Sequence, residues 1–157
     1  MRSRGFTIIE LVITVGIVSL LASAVVPSAQ LIYQRERERE LRASLRTIRA
    51  AIDAYKSAVD TGHIRKKVEQ TGYPPDLQSL VDGVEDASSA KEGVKIYFLR
   101  QVPRDPFWPD ATTPAADTWG LRSYASPPDD PQPGDDVYDV HSRSPRTGLN
   151  GVPYRDW

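Results

Sequence analysis

The sequence predicts an α+β chain: one long N-terminal helix, apolar in its first half and amphipathic in its second, followed by a small antiparallel β head rich in loops. Three observations predict it. Residues 6–33 hold 19 apolar side chains in 28 positions, leaving the other 129 residues apolar at only about one position in three. Beyond that run, Leu41, Leu45, Ile48, Ile52, Tyr55 and Val59 recur at spacings of three or four, the period of a helix with one buried face. Twelve of the 13 prolines lie at or after Pro74, so regular elements there must be short. A head so poor in apolar residues buries a thin core, which excludes a large multi-layer enzyme fold.

The first residues carry the address. Arg2 and Arg4 precede an apolar run that has no charge from residue 11 to residue 34. Those 24 residues make about 36 Å of helix, enough for the ~30 Å hydrocarbon core of a bilayer. The basic flank places the N-terminus in the cytoplasm and the head across the membrane. A secretory signal peptide is the alternative, since Ala22-Ser23-Ala24 offers a small-x-small cleavage site. Against it stand Glu10, a carboxylate inside the apolar region, and a helical pattern that continues past the cut. An acid at membrane depth costs several kcal/mol unless it is interfacial or paired, so Glu10 is either a functional group or a snorkelling acid on the first helical turn.

The segment Arg4-Gly5-Phe6-Thr7-Ile8-Ile9-Glu10-Leu11 resembles the class III signal of type IV pilins and type II secretion pseudopilins. The resemblance implies that a prepilin peptidase cuts after Gly5, that Phe6 becomes the N-methylated first residue, and that Glu10 is the family's assembly glutamate. It divides the chain into a leader at 1–5, a transmembrane and assembly helix at 6–33, an amphipathic half at 34–60 and a head at 61–157. Gly16 and Pro27 are the helix's weak points, where related filaments lose helicity or kink. Cleavage would create a cationic amine at Phe6, and its pairing with the Glu10 of a neighbouring copy would fix one axial stagger.

In the amphipathic half, Glu38 and Arg42 are spaced for an i,i+4 pair, and Thr61-Gly62 ends the helix. The arginine stripe from Arg35 to Arg49 is interleaved with glutamates and lacks a stacking set of aromatics, so a solvated face is expected and no nucleic acid. Residues 76–81 predict a short helix, residues 95–99, 121–125 and 136–141 predict strands, and 126–135 a connecting loop.

Three landmarks in the head, Tyr73-Pro74 with Leu77 and Leu80, Pro103 with Asp105-Pro106, and Tyr138-Asp139 with Ser142, resemble the major pseudopilin, or G subunit, of type II secretion. That family carries calcium in the loop after the last strand, built from carbonyls and several aspartates. Here arginines and the single Asp156 stand in that loop, and Gly151, Tyr154 and Trp157 are expected to pin the segment by packing instead. Without cysteine there is no thiol chemistry or Cys-based zinc site. Asp139, His141 and Ser142 have the residue types of an acyl-transfer site, but strand alternation separates Ser142 from the other two. His63 has no ligand-spaced partner.

The function this resemblance implies is non-enzymatic: a subunit of a type II secretion pseudopilus, anchored in the bacterial inner membrane and assembled into a periplasmic filament. Its partners would be copies of itself, minor pseudopilins, the prepilin peptidase, the inner-membrane assembly platform and the lipid bilayer. A minor pilin of a type IV pilus or DNA-uptake machine is the alternative within the family. A membrane-tethered periplasmic binding module is the alternative outside it.

Overall fold

A computed structural model describes residues 7–157, the side chains of 23–28 excepted. The element order is α1 (Ile8–Asp60), α2 (Ser79–Asp82), β1 (Val84–Glu85), β2 (Lys95–Ile96), a 3-10 turn (Ala115–Thr118), β3 (Trp119–Arg122), β4 (Asp139–Ser142) and a second 3-10 turn (Tyr154–Asp156). The chain divides into two units, residues 1–37 and 38–157.

In the first unit α1 starts at a Thr7 cap. The Glu10 amide donates to Thr7 Oγ1 at 3.3 Å and the Leu11 amide to the Thr7 carbonyl at 3.2 Å. The Thr14 and Ser19 hydroxyls donate back to the Leu11 and Val15 carbonyls, leaving no side-chain donor outstanding at those positions. α1 runs without a break through Gly16 and Pro27. Among the described residues no helix is long and apolar enough to cross a membrane.

In the second unit the predicted stripe is the core. Leu41, Ile48 and Ile52 are fully buried, and Leu45, Tyr55 and Val59 nearly so. They pack with Leu77, Leu80, Trp119, Val137, Val140 and Tyr154. Each such side chain contributes about 1.5–3 kcal/mol by leaving water. α1 ends as Thr61-Gly62 predicts: Gly62 takes φ +81°, and the His63 and Gly62 amides donate to the Ala58 and Val59 carbonyls.

The head holds two separate two-stranded antiparallel sheets, β1 with β2 and β3 with β4. The predicted strands are present but shorter or shifted. β2 stops at Ile96 because the Phe98 and Leu99 amides turn to the Leu80 carbonyl, at 3.0 and 2.9 Å. β3 ends at Arg122 because the next two residues serve Asp136: Ser123 Oγ and the Tyr124 amide donate to its carboxylate at 2.7 and 2.9 Å. Residue 136 is therefore a hub before β4 rather than part of a strand. Burial raises the Asp136 pKa, but the bonds from Thr71, Tyr124 and Ser123 outweigh it and hold the carboxyl below its ordinary value. Sequence reasoning missed β1. The predicted short helix shrinks to Ser79–Asp82, and Asp76 caps it by accepting the Ser79 amide at 2.7 Å.

Candidate assembly site

The first unit presents apolar side chains all the way round. Ile8, Ile9, Leu11, Val12, Ile13, Val15, Ile17, Val18, Leu20 and Leu21 are each at least 54% exposed. A helix that is apolar on every face belongs inside lipid or a bundle of other helices. Glu10 is the only charged residue between residues 7 and 34, and it too is exposed. Its place three residues after the Thr7 cap puts the carboxylate where the helix dipole favours negative charge. Gly5 and Phe6 lie outside the described residues, as does the Pro27 side chain. At Gly16 an added Cβ would meet nothing within 4 Å.

The second unit shows how the segment after β4 is held. Glu38 is 4% exposed, and its Oε1 accepts both the Leu149 amide at 2.8 Å and the Tyr154 hydroxyl at 2.9 Å. The Tyr154 ring stacks on Phe107 with centroids 4.1 Å apart and meets the Trp157 ring edge-on at 4.9 Å. The Arg42 guanidinium lies over the Trp157 ring at 4.1 Å, a use of Arg42 the sequence did not predict. Arg49 Nε donates to Asp139 Oδ1 at 2.7 Å, and its Nη2 to the Val140 and Trp157 carbonyls at 3.1 and 2.8 Å. Arginine's planar fork reaches these acceptors at once, so β4 and the chain's last residue are tied to one turn of α1. Arg49 is thus more than a member of a solvated stripe.

The same residues do not fit calcium. Asp156 is exposed, with Oδ1 3.4 Å from Arg155 Nε. The Arg146, Gly148 and Val152 carbonyls accept the Tyr154, Gly151 and Gly148 amides, and Val152 also accepts from the Trp157 indole. Among the described residues no cluster of three His, Asp or Glu is placed to hold a metal. A hard cation needs six to eight oxygens, several of them carboxylate. A buried glutamate, an arginine and stacked rings stand where such a set would be required.

The residues considered for catalysis are not brought together. Asp139 and His141 share a half-buried face of β4, while Ser142 is fully buried and donates to Asp105 Oδ2 at 2.6 Å. Burial lowers the His141 pKa; Asp139 opposes this and nearby arginines add to it. His63 has two polar neighbours. Its Nδ1 lies 2.8 Å from Ser88 Oγ and 3.2 Å from Asp86 Oδ1, and Ser88 itself donates to Asp86. Both groups converge on one ring nitrogen, so they form a surface turn and not the relay through two nitrogens that nucleophile activation needs.

A long N-terminal helix followed by a small antiparallel-sheet head is the type IV pilin-like α+β fold, a structural and typically non-enzymatic class. The prokaryotic N-terminal methylation motif matches residues 1–26. The chain is 27% identical over 113 residues to type II secretion system core protein G of Klebsiella pneumoniae, covering 69% of this chain and 72% of that one. No solved structure matches the chain significantly. The motif and this similarity support assignment of the chain to the pseudopilin family. They also suggest anchoring in the inner membrane.

Proposed function

We propose that this chain is a structural subunit of a type II secretion pseudopilus. It inserts in the bacterial inner membrane with its N-terminus cytoplasmic and its head periplasmic. A prepilin peptidase cleaves after Gly5 and Phe6 is N-methylated; the subunit is then drawn through an inner-membrane assembly platform into a periplasmic filament of its own copies and minor pseudopilins. The observation that carries this reading is the exposed, all-round apolar helix surface of residues 8–21 with Glu10 as its only charge. Such a surface is covered by lipid before assembly and by neighbouring helices after it. In the filament the Glu10 carboxylate neutralises the Phe6 amine of an adjacent copy, and the helix yields between Gly16 and Pro27 to let copies pack.

The test is Glu10→Leu. Leucine favours the bilayer more than glutamate does, and cleavage depends on Gly5, so a processed, membrane-inserted subunit is expected. Assembly is lost, because an unpaired buried amine costs on the order of 3–5 kcal/mol at every subunit addition. Filaments in normal number would falsify the pairing. A mature N-terminus other than N-methylated Phe6 by mass spectrometry would remove the prepilin reading itself.

A further inference from the structure

We propose that the head carries a second assembly contact: a basic, aromatic-lined groove that receives the acidic proline knuckle of another copy of this chain. The groove, about 340 Å³, is lined by Leu45, by Trp157 with the Arg42 guanidinium over its ring, and by Arg46, Arg49 and Asp156. The knuckle is Pro127-Pro128-Asp129-Asp130-Pro131, exposed from 127 to 130.

Three features fit the one to the other. The first is charge. The groove is lined by Arg42, Arg46 and Arg49 against the single Asp156, and the knuckle carries Asp129 and Asp130. The second is rigidity. The Ser123 amide donates to the Gln132 carbonyl at 2.9 Å, the Gln132 amide to Ser126 Oγ at 2.8 Å, and the Arg122 guanidinium to the Ser126 carbonyl at 3.2–3.3 Å. Four prolines in residues 127–133 stiffen the rest, so little entropy remains to be lost on docking. The third is available charge. Asp129 is exposed and takes part in none of the hydrogen bonds or ion pairs of the described residues, whereas Asp130 accepts from Gln132 at 2.8 Å.

Groove and knuckle are different patches on one chain, so the contact is heterologous, and repeated contacts of that kind build an open filament unless the rotation closes a ring. The inference thus rests on the filament reading and adds a head-to-head interface to the helix contacts.

The absence of native cysteine makes the test clean. Arg46→Cys and Asp129→Cys, each an exposed position outside the Glu38 and Arg49 bonds, are co-expressed as full-length chains and oxidised in isolated membranes. A disulfide-linked dimer is expected from the pair and not from either variant alone. Charge reversal checks the chemistry: Arg46→Asp or Asp129→Arg is expected to cut filament mass about tenfold, and the double swap to restore it. If the wild-type chain builds filaments but the co-expressed cysteine variants do not link, or filament yields are indifferent to both reversals, this contact is overturned and the pseudopilin reading stands. If the wild-type chain builds no filament and the co-expressed cysteines do not link, both fail.

Discussion

Glu38→Ala is the substitution by which the fastening of the C-terminal segment is most sharply tested. Glu38 lies three residues before Leu41, on the buried face of α1, and its Oε1 takes two donors from the far end of the sequence. Alanine leaves the Leu149 amide and the Tyr154 hydroxyl without that acceptor, and the Tyr154 side chain is fully buried. An orphaned buried donor costs about 1–3 kcal/mol, and the Leu149 amide recovers part of its share by meeting water, so a loss of about 3–4 kcal/mol is expected. For a unit of this size that lowers the melting temperature by roughly 10–20 °C. Glu38→Gln keeps an oxygen in the same place and gives up only the charge-assisted part, about 1 kcal/mol. The assay is thermal unfolding of a fragment spanning residues 34–157, followed by circular dichroism and by tryptophan fluorescence. Tyr154→Phe closes a double-mutant cycle: costly in the wild-type background and nearly free beside Glu38→Ala, with a coupling of about 1 kcal/mol or more. Additive effects within about 0.3 kcal/mol would refute the argument, because the two groups would then not share a bond worth measuring.

Four further outcomes are expected. Arg49→Lys, which keeps the charge but loses the fork, costs about 1–2 kcal/mol in the same unfolding assay. Gly148→Ala drives a methyl into the Trp157 ring and to 2.8 Å from Asn150 Oδ1, so a loss of about 1–3 kcal/mol with a red-shifted indole emission is expected. Because the folded-state His141 pKa is depressed, the unfolded chain takes up a proton first as pH drops below about 6.5; stability falls from there until the folded imidazole is itself protonated, and His141→Gln flattens that part of the curve. Adding calcium or a chelator leaves the melting temperature of the same fragment unchanged, and a shift of several degrees on chelation would show a cation site that these side chains do not provide.

The long helix was legible because its signals are local. A stripe such as Leu41, Leu45 and Ile48 is set by spacing alone, and so is the stop at Thr61-Gly62. The strands were legible only in outline. β1 is two residues long and is a strand solely because Lys95 and Ile96 lie opposite it, a pairing no window of sequence contains. The ends of β3 and β4 were misplaced for a related reason. Asp136 takes the Tyr124 amide and so ends the ladder from outside it. The acids show a different limit. Glu38 reads as one more charge in an alternating run, yet its phase with Leu41 and Leu45 puts it on the buried face. That phase was the available signal, and it was outweighed by the expectation that a lone carboxylate stays in water. Asp105 and Asp136 carry no such mark, since their partners Ser142, Thr71 and Ser123 come from distant segments.

The bonds in the second unit bear on what an assembling subunit requires. Leu41 to Tyr154, the residues of the buried core, all lie within residues 38–157, and the acids buried among them have acceptors and donors matched there. Residues 8–21 offer the opposite: wide apolar exposure, hydroxyls returned to their own helix, and one exposed carboxylate, at Glu10, near the Thr7-capped start of the helix. A segment of that composition gains free energy from any apolar surrounding and so does not by itself choose a neighbour or a stagger. Specificity in such a medium comes from the few polar groups that are costly to leave unpaired. On this chain those are Glu10 within the helix and, outside it, the exposed Asp129 and the arginines of the groove. If both contacts operate, raising ionic strength separates them: the exposed head contact weakens as the Debye length shrinks from about 10 Å at 0.1 M to 3 Å at 1 M, while a pair buried among helices is screened much less. Filaments that stay intact in high salt, while oxidation there gives less disulfide from the Arg46→Cys and Asp129→Cys pair, would show that order. Filaments that fall apart in high salt while the disulfide yield holds would reverse it.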